Sequence, residues 1–134
     1  MKPNTRRIGQ IFAAAEKDGR SSLLEPEVYE LLRLAGIPVP RFVFLPVGRK
    51  ASRRDLAALR SSAAVVKVVS PFIIHKSDVG GVEFAAANPA SVNRACVRML
   101  RTVPLRYLQW EKRTRPAGAG EPPDVRSVRE SIRG

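Results

Sequence analysis

Cysteine is almost absent from this 134-residue chain: Cys96 stands alone, as do the single histidine, His75, and the single tryptophan. One thiol excludes an intramolecular disulfide and a cysteine-built zinc site, and suits a reducing compartment. No apolar run reaches the length of a membrane span, and the N-terminus lacks the apolar stretch of a secretory signal. Met1-Lys2-Pro3-Asn4 followed by Arg6-Arg7 resembles a leader, but Glu16 and Asp18 arrive too early for a transit peptide, so a cytoplasmic protein without membrane contact is expected. Neither GxxxxGK[ST] nor GxGxxG occurs, so neither the Walker turn nor the dinucleotide turn is available.

Acidic residues are also scarce, 12 against 24 Lys and Arg, for a net charge of +12. Such a balance suggests a nucleic-acid partner. Its distribution speaks against one: residues 1–93 carry 14 basic and 8 acidic side chains, residues 94–134 carry 10 and 4. The excess is densest in the tail, where aromatics are few and no helix-turn-helix, zinc-finger or RNP pattern occurs.

What is present is an α/β alternation. Ile8, Ile11, Phe12 and Ala15 predict an amphipathic helix over Arg6–Lys17, closed by Asp18-Gly19. Ser22 to Glu25 has capping-box spacing and Pro26 fits a first helical turn, ahead of a stripe of Val28, Leu31, Leu32 and Leu34/Ala35. Pro38 and Pro40 lead into a strand over Phe42–Leu45, Pro46-Val47-Gly48 is a turn, and Ser52 caps a helix over Arg53–Ser61. The Arg49-Lys50 and Arg53-Arg54 cluster reads as the solvated start of that helix. Strands Ala64–Val69 and Val82–Ala86 follow, then a helix beginning at Ala90-Ser91 with Val92, Ala95, Cys96 and Met99 on one face. Cys96 reads as helix core, since no second histidine exists to activate it. From Thr102 onward Pro, Gly and Arg dominate, and a disordered basic tail over residues 102–134 is expected.

Chemistry concentrates in residues 63–84. Lys67 lies amid Val65, Val66, Val68 and Val69, and an ammonium buried without a partner is costly. Either it snorkels to solvent or it meets an anion. Gly80-Gly81 permits close backbone approach and positive φ, Ser77 and Asp78 suit a turn, and successive amides of such a turn make an anion-binding concavity. An ordinary hairpin turn fits the same spacing.

The string VVKVVSPFIIHKSDVGGV (residues 65–82) resembles the signature of the ATP-grasp domain in ADP-forming acyl-CoA synthetases, of the acetate–CoA ligase type. Leu24 to Leu32, running into Ala35-Gly36-Ile37-Pro38-Val39-Pro40, resembles the start of that domain. The resemblance covers about residues 21–100, which divides the chain into an N-terminal helix (1–20), a partial ATP-grasp domain (21–101) and the tail. It implies the N-terminal portion of an ATP-grasp fold, helices with a small mixed sheet. The family's domain extends well beyond this point, its later half supplying the Mg²⁺ ligands, and Glu111, Glu121, Asp124 and Glu130 do not match them. A truncated chain, inactive alone, is therefore expected.

The resemblance implies an acid–CoA ligase reaction through an acyl phosphate, with phosphoryl groups carried by histidine. His75 matches the position of a relay histidine, and an imidazole is a competent nucleophile towards phosphorus. Lys67 is the expected nucleotide-phosphate cation and Lys76 an auxiliary one, with Ser77, Gly80, Gly81 and Val82 forming the phosphate loop for ATP or ADP. Mg²⁺ is expected for the complete enzyme with no ligand assigned in this chain. Expected partners are a CoA-ligase (alpha-type) subunit or the remaining ATP-grasp half. Two other readings are a regulatory ATP-grasp-like module of a protein acyltransferase and a small basic nucleic-acid-binding protein.

Overall fold

The structure, a computed structural model, describes residues 4–134; Met1-Lys2-Pro3 of the leader-like start lie outside the described residues. The chain divides into two compact units, one ending at Phe44 and one running from Leu45 to Gly134.

The first unit is a pair of helices. Helix α1 (Thr5–Lys17) starts at Asn4, whose Oδ1 accepts the Arg7 amide at 3.0 Å, and buries Ile11 and Ala15. Helix α2 (Glu25–Leu34) starts at Leu24 rather than Ser22: the Glu27 carboxylate accepts the Leu24 amide at 2.7 Å, and Pro26 occupies the first turn. Arg20 fastens the connection, donating to both Glu27 oxygens at 2.9 and 2.7 Å and to Asp18 at 2.8 Å. Burial pushes the Glu27 carboxyl up. The Arg20 hydrogen bonds, the Leu24 amide and the Arg20 charge together outweigh it and hold the group below the usual carboxylate range. The expected strand over Phe42–Leu45 does not form. The Phe42 ring instead lies 5.0 Å from Tyr29 and 5.7 Å from the Arg33 guanidinium carbon, and Pro38 and Pro40 remove two ladder donors just upstream.

The second unit contains a two-stranded antiparallel sheet rather than a mixed one, β1 (Ala63–Lys67) against β2 (Val82–Ala86). Its register pairs Val65 with Phe84 and Lys67 with Val82. Alternation turns Ala64 and Val66 inward, where they pack with Ala51, Leu56 and Val92. Helix α3 (Arg53–Ala57) begins with a reciprocal box: Ser52 Oγ accepts the Asp55 amide at 3.2 Å and Asp55 accepts the Ser52 amide at 2.9 Å. It is shorter than expected, ending four residues before Ser61 as Arg60 takes φ 51°. Asn93 clamps the approach to α3, accepting the Ala51 amide at 2.8 Å while donating to the Ala51 carbonyl at 3.3 Å.

Helix α4 (Pro89–Thr114) is capped by Asn88 and does not stop near Thr102. Where composition suggested disorder, the structure continues the apolar stripe of Val92, Ala95 and Met99 into Val103 and Tyr107, all buried. The spacing of three and four residues is unbroken across the change in composition. Pro104 is accommodated inside the helix, where it has no amide proton to give the Leu100 carbonyl. A further helix, α5 (Val125–Ser131), capped by Asp124 on the Ser127 amide at 2.6 Å, adds Val128; Ile132 follows it into the same cluster. That cluster joins Val68, Ile73, Val79, Met99, Val103, Tyr107, Val128 and Ile132, so residues beyond 101 build a large part of the core.

Candidate phosphate-binding loop

Residues 68–81 connect β1 to β2, and their ends are fixed from both sides. The Val68 amide donates to the Gly81 carbonyl at 2.9 Å, and the Ala87 amide to the Ser62 carbonyl at 2.9 Å. With the register above, these bonds make Lys67–Val82 a non-hydrogen-bonded pair, the kind whose side chains approach most closely. Lys67 therefore stands beside the first residue after the diglycine step. It is exposed on the outward sheet face with Val65 and Phe84, so alternation accounts for a lysine among valines and no desolvated ammonium needs compensation.

The loop itself is held by its apolar members and by Arg133 and Gly134. Ile73 and Val79 are almost fully buried. Val69 donates to the Gly134 carbonyl and accepts from the Arg133 amide, both at 2.7 Å. Behind it, Ser70 and Ser131 form a buried hydroxyl pair at 2.6 Å. Ser131 gives its proton to the Val128 carbonyl at 2.6 Å, so Ser70 donates to Ser131 while accepting the Phe72 amide at 3.1 Å.

At the head of a 3-10 turn, Lys76–Val79, sits His75, exposed, its ring 5.6 Å from that of Trp110, which lies 5.9 Å from Tyr107. Phe72, Ile74, His75, Tyr107, Trp110 and Glu111 border an open cleft of about 260 Å³. Burial, then the charge and hydrogen bond of Glu111, push the Tyr107 hydroxyl up, and Glu111 is itself paired with Arg115 at 2.7 Å. Lys76 is half-buried and Ser77 exposed. Gly80 ends the turn at φ 71°, a left-handed conformation that favours glycine.

The glycines shape the loop more than they offer donors. The Gly81 amide is spent on the Lys76 carbonyl at 2.7 Å, and the Gly80 amide points to the Ser77 carbonyl at 3.4 Å. The expected concavity of free Gly80 and Gly81 amides is thus replaced by bonds internal to the turn. A Cβ on Gly81 would lie 2.6 Å from Val68 Cγ1 and 3.0 Å from the Lys76 oxygen, which is why no larger residue fits. The structure brings Lys67, Lys76, Gly80, Gly81 and Val82 around one step and sets His75 at the opposite end of the short turn. Sequence reasoning missed Trp110 and Tyr107 as neighbours of His75; the helical stripe running past residue 101 was the available signal.

Among the described residues no group of three His, Cys, Asp or Glu side chains converges, and Glu83, on β2, is already ion-paired with Arg98. No helix among them is long and apolar enough to cross a membrane.

The sequence profile of the ATP-grasp domain family matches residues 14–111, nearly three quarters of the chain. The beta subunit of the ADP-forming acetate–CoA ligase I of Pyrococcus furiosus is 40% identical over 91 residues, 64% of this chain and 36% of that protein. The ADP-forming 4-hydroxybutyrate–CoA ligase of Nitrosopumilus maritimus is 36% identical over 95 residues, 71% of this chain and 13% of its own length. The chain thus spans roughly a third or less of these relatives. No solved structure matches it.

Proposed function

The chain belongs to the ATP-grasp domain family, and from that premise we propose that it binds ATP or ADP as the nucleotide-side portion of an ADP-forming acid–CoA ligase. The observation that carries this reading is the register of Lys67 beside Val82, which puts a cation at the diglycine step of a loop headed by His75. Lys67 and Lys76 hold phosphate oxygens as point charges, with the Ser77 hydroxyl as a further donor. The loop backbone at Gly80, Gly81 and Val82 sets the turn that presents these groups to the ligand.

His75 is the phosphoryl carrier in this reading. An imidazole nitrogen attacks the phosphorus of an acyl phosphate, the P–N bond forms as the bond to the carboxylate oxygen breaks, and the free acid leaves. A terminal ADP oxygen then attacks the same phosphorus, re-forming ATP and the imidazole. Positioning and charge stabilisation do most of this work, which is what cations around a tight loop supply. The acyl-CoA step falls to a partner, an alpha-type CoA-ligase subunit or the remaining ATP-grasp portion. The protein works in the cytoplasm, where these substrates are held. Both relatives named above are CoA ligases, which favours this reading over an acyltransferase module or a nucleic-acid-binding protein.

Titration with ADP tests the binding claim. Lys67→Ala should weaken it by ~1.5–3 kcal/mol, the worth of a charge-assisted contact. Unchanged affinity removes Lys67 from the site. Incubation with ATP labelled at its terminal phosphate, alone and with an alpha-type ligase subunit, should give an acid-labile label that His75→Asn abolishes. A label that survives that substitution removes His75 from the relay.

A further inference from the structure

Gly80 is covered by a side chain from another element. Arg106, on α4, lies against it: a Cβ at Gly80 would meet Arg106 Cζ at 3.4 Å and Cδ at 3.5 Å, with the terminal nitrogen Nη1 closer still. On the adjoining residue, a Cβ at Gly81 would lie 3.3 Å from Lys76 Cβ. The two basic side chains therefore flank consecutive glycines.

Two other arginines of α4 are held by carboxylates. Arg98 pairs with Glu83 and Arg115 with Glu111. Arg106 is exposed, and no carboxylate among the described residues pairs with it. The Gly80 and Gly81 amides are committed inside the turn, so charge at this step must come from side chains. A guanidinium presents a planar fork matched to two phosphate oxygens, a geometry an ammonium lacks. Only a glycine at position 80, left-handed and without a side chain, lets that fork lie so close to the loop.

We propose that Arg106 contacts phosphate, gripping phosphoryl oxygens of a nucleoside di- or triphosphate over Gly80 alongside Lys76. This inference rests on the nucleotide reading given above. It adds a residue from the α4 segment that continues past the lysine-and-diglycine motif, and so makes α4 part of the binding site.

The test uses the full chain. Arg106→Met keeps the aliphatic stem over Gly80 and removes the fork; Lys67→Met removes the neighbouring charge; Arg94→Met removes a cation elsewhere on the same helix. ADP affinity is measured by calorimetry and folding by thermal melting. The expected result is a roughly ten- to hundredfold loss for Arg106→Met at an unchanged melting temperature, with Arg94→Met within about twofold of wild type. Arg106→Lys should recover only part of the loss. Wild-type ADP affinity in Arg106→Met, with Lys67→Met weakened, overturns the role of Arg106 and leaves the nucleotide reading standing. Absence of ADP binding by the wild-type chain overturns both. If Arg106→Met melts early, Arg106→Lys decides: reduced affinity in a stably folded protein supports the contact, and undiminished affinity overturns it.

Discussion

Val128→Ala tests whether residues beyond 101 belong to the core. Val128 is fully buried, clustered with Val103 and Tyr107 of α4 and with Ile132. Truncation removes two methyl groups, worth ~1.6 kcal/mol at about 0.8 kcal/mol for each carbon withdrawn from water. The cavity left behind collapses incompletely, which raises the expected loss to ~2–3 kcal/mol. Against a total of about 5–15 kcal/mol for a domain, that is a large fraction. Urea unfolding followed by the fluorescence of Trp110, which packs on the same cluster, reports the Leu45–Gly134 unit directly. The midpoint should fall while the denaturant slope stays constant. Arg129→Ala, an exposed neighbour on α5, should change stability by no more than about 0.5 kcal/mol. If Val128→Ala behaves like Arg129→Ala, α5 contributes nothing to the core and the packing described above is wrong.

Gly81→Ala forces a Cβ to within 2.6 Å of Val68 Cγ1 and 3.0 Å of the Lys76 carbonyl oxygen, and overpacking of that kind costs ~1–3 kcal/mol. Thermal melting should show this loss, smaller in a Val68→Ala background, where one of the two clashes is gone; equal losses in both backgrounds would contradict the geometry. Acid should destabilise the chain through three depressed carboxyls: Asp55, held down by the Ser52 amide and hydroxyl and by Arg49; Asp124, by the Ser127 amide and hydroxyl; and Glu27, through Arg20. Each lies lower folded than unfolded, so its contribution is whole above roughly pH 4 and disappears as pH falls through the folded value. Asp55→Asn and Asp124→Asn should flatten the acid limb of a melting-temperature profile, and an unchanged slope would count against both caps.

Much of this architecture is legible from pattern. The 3.6-residue stripes of α1 and α2 and the paired strands around the diglycine step show in the sequence because each is a local periodicity with a stop signal. Phe42–Leu45 was misleading because alternation says nothing about whether a partner strand exists, and the Phe42 ring found Tyr29 instead. Composition hid α5 and the far half of α4. Arg, Pro and Gly dominate by count, yet Val103, Tyr107, Val128 and Ile132 suffice to bury that segment. Of the candidate site, Lys67 and the loop were visible as a motif. Arg106 was not, since its distance of 26 positions from Gly80 is closed only by the packing of α4 beside the turn. The committed amides of Gly80 and Gly81 were equally invisible, because turn type rather than residue type decides where an N–H points.

The pairing of Val69 with Arg133 and Gly134 bears on biosynthesis. Synthesis proceeds from the N-terminus, so Lys67, His75 and both glycines are made roughly fifty to sixty-five residues before the segment that clamps them. Until that segment is made, Ile73 and Val79 lack Val128 and Ile132 as neighbours and Val69 lacks both of its backbone partners, so apolar surface stays open to misassociation.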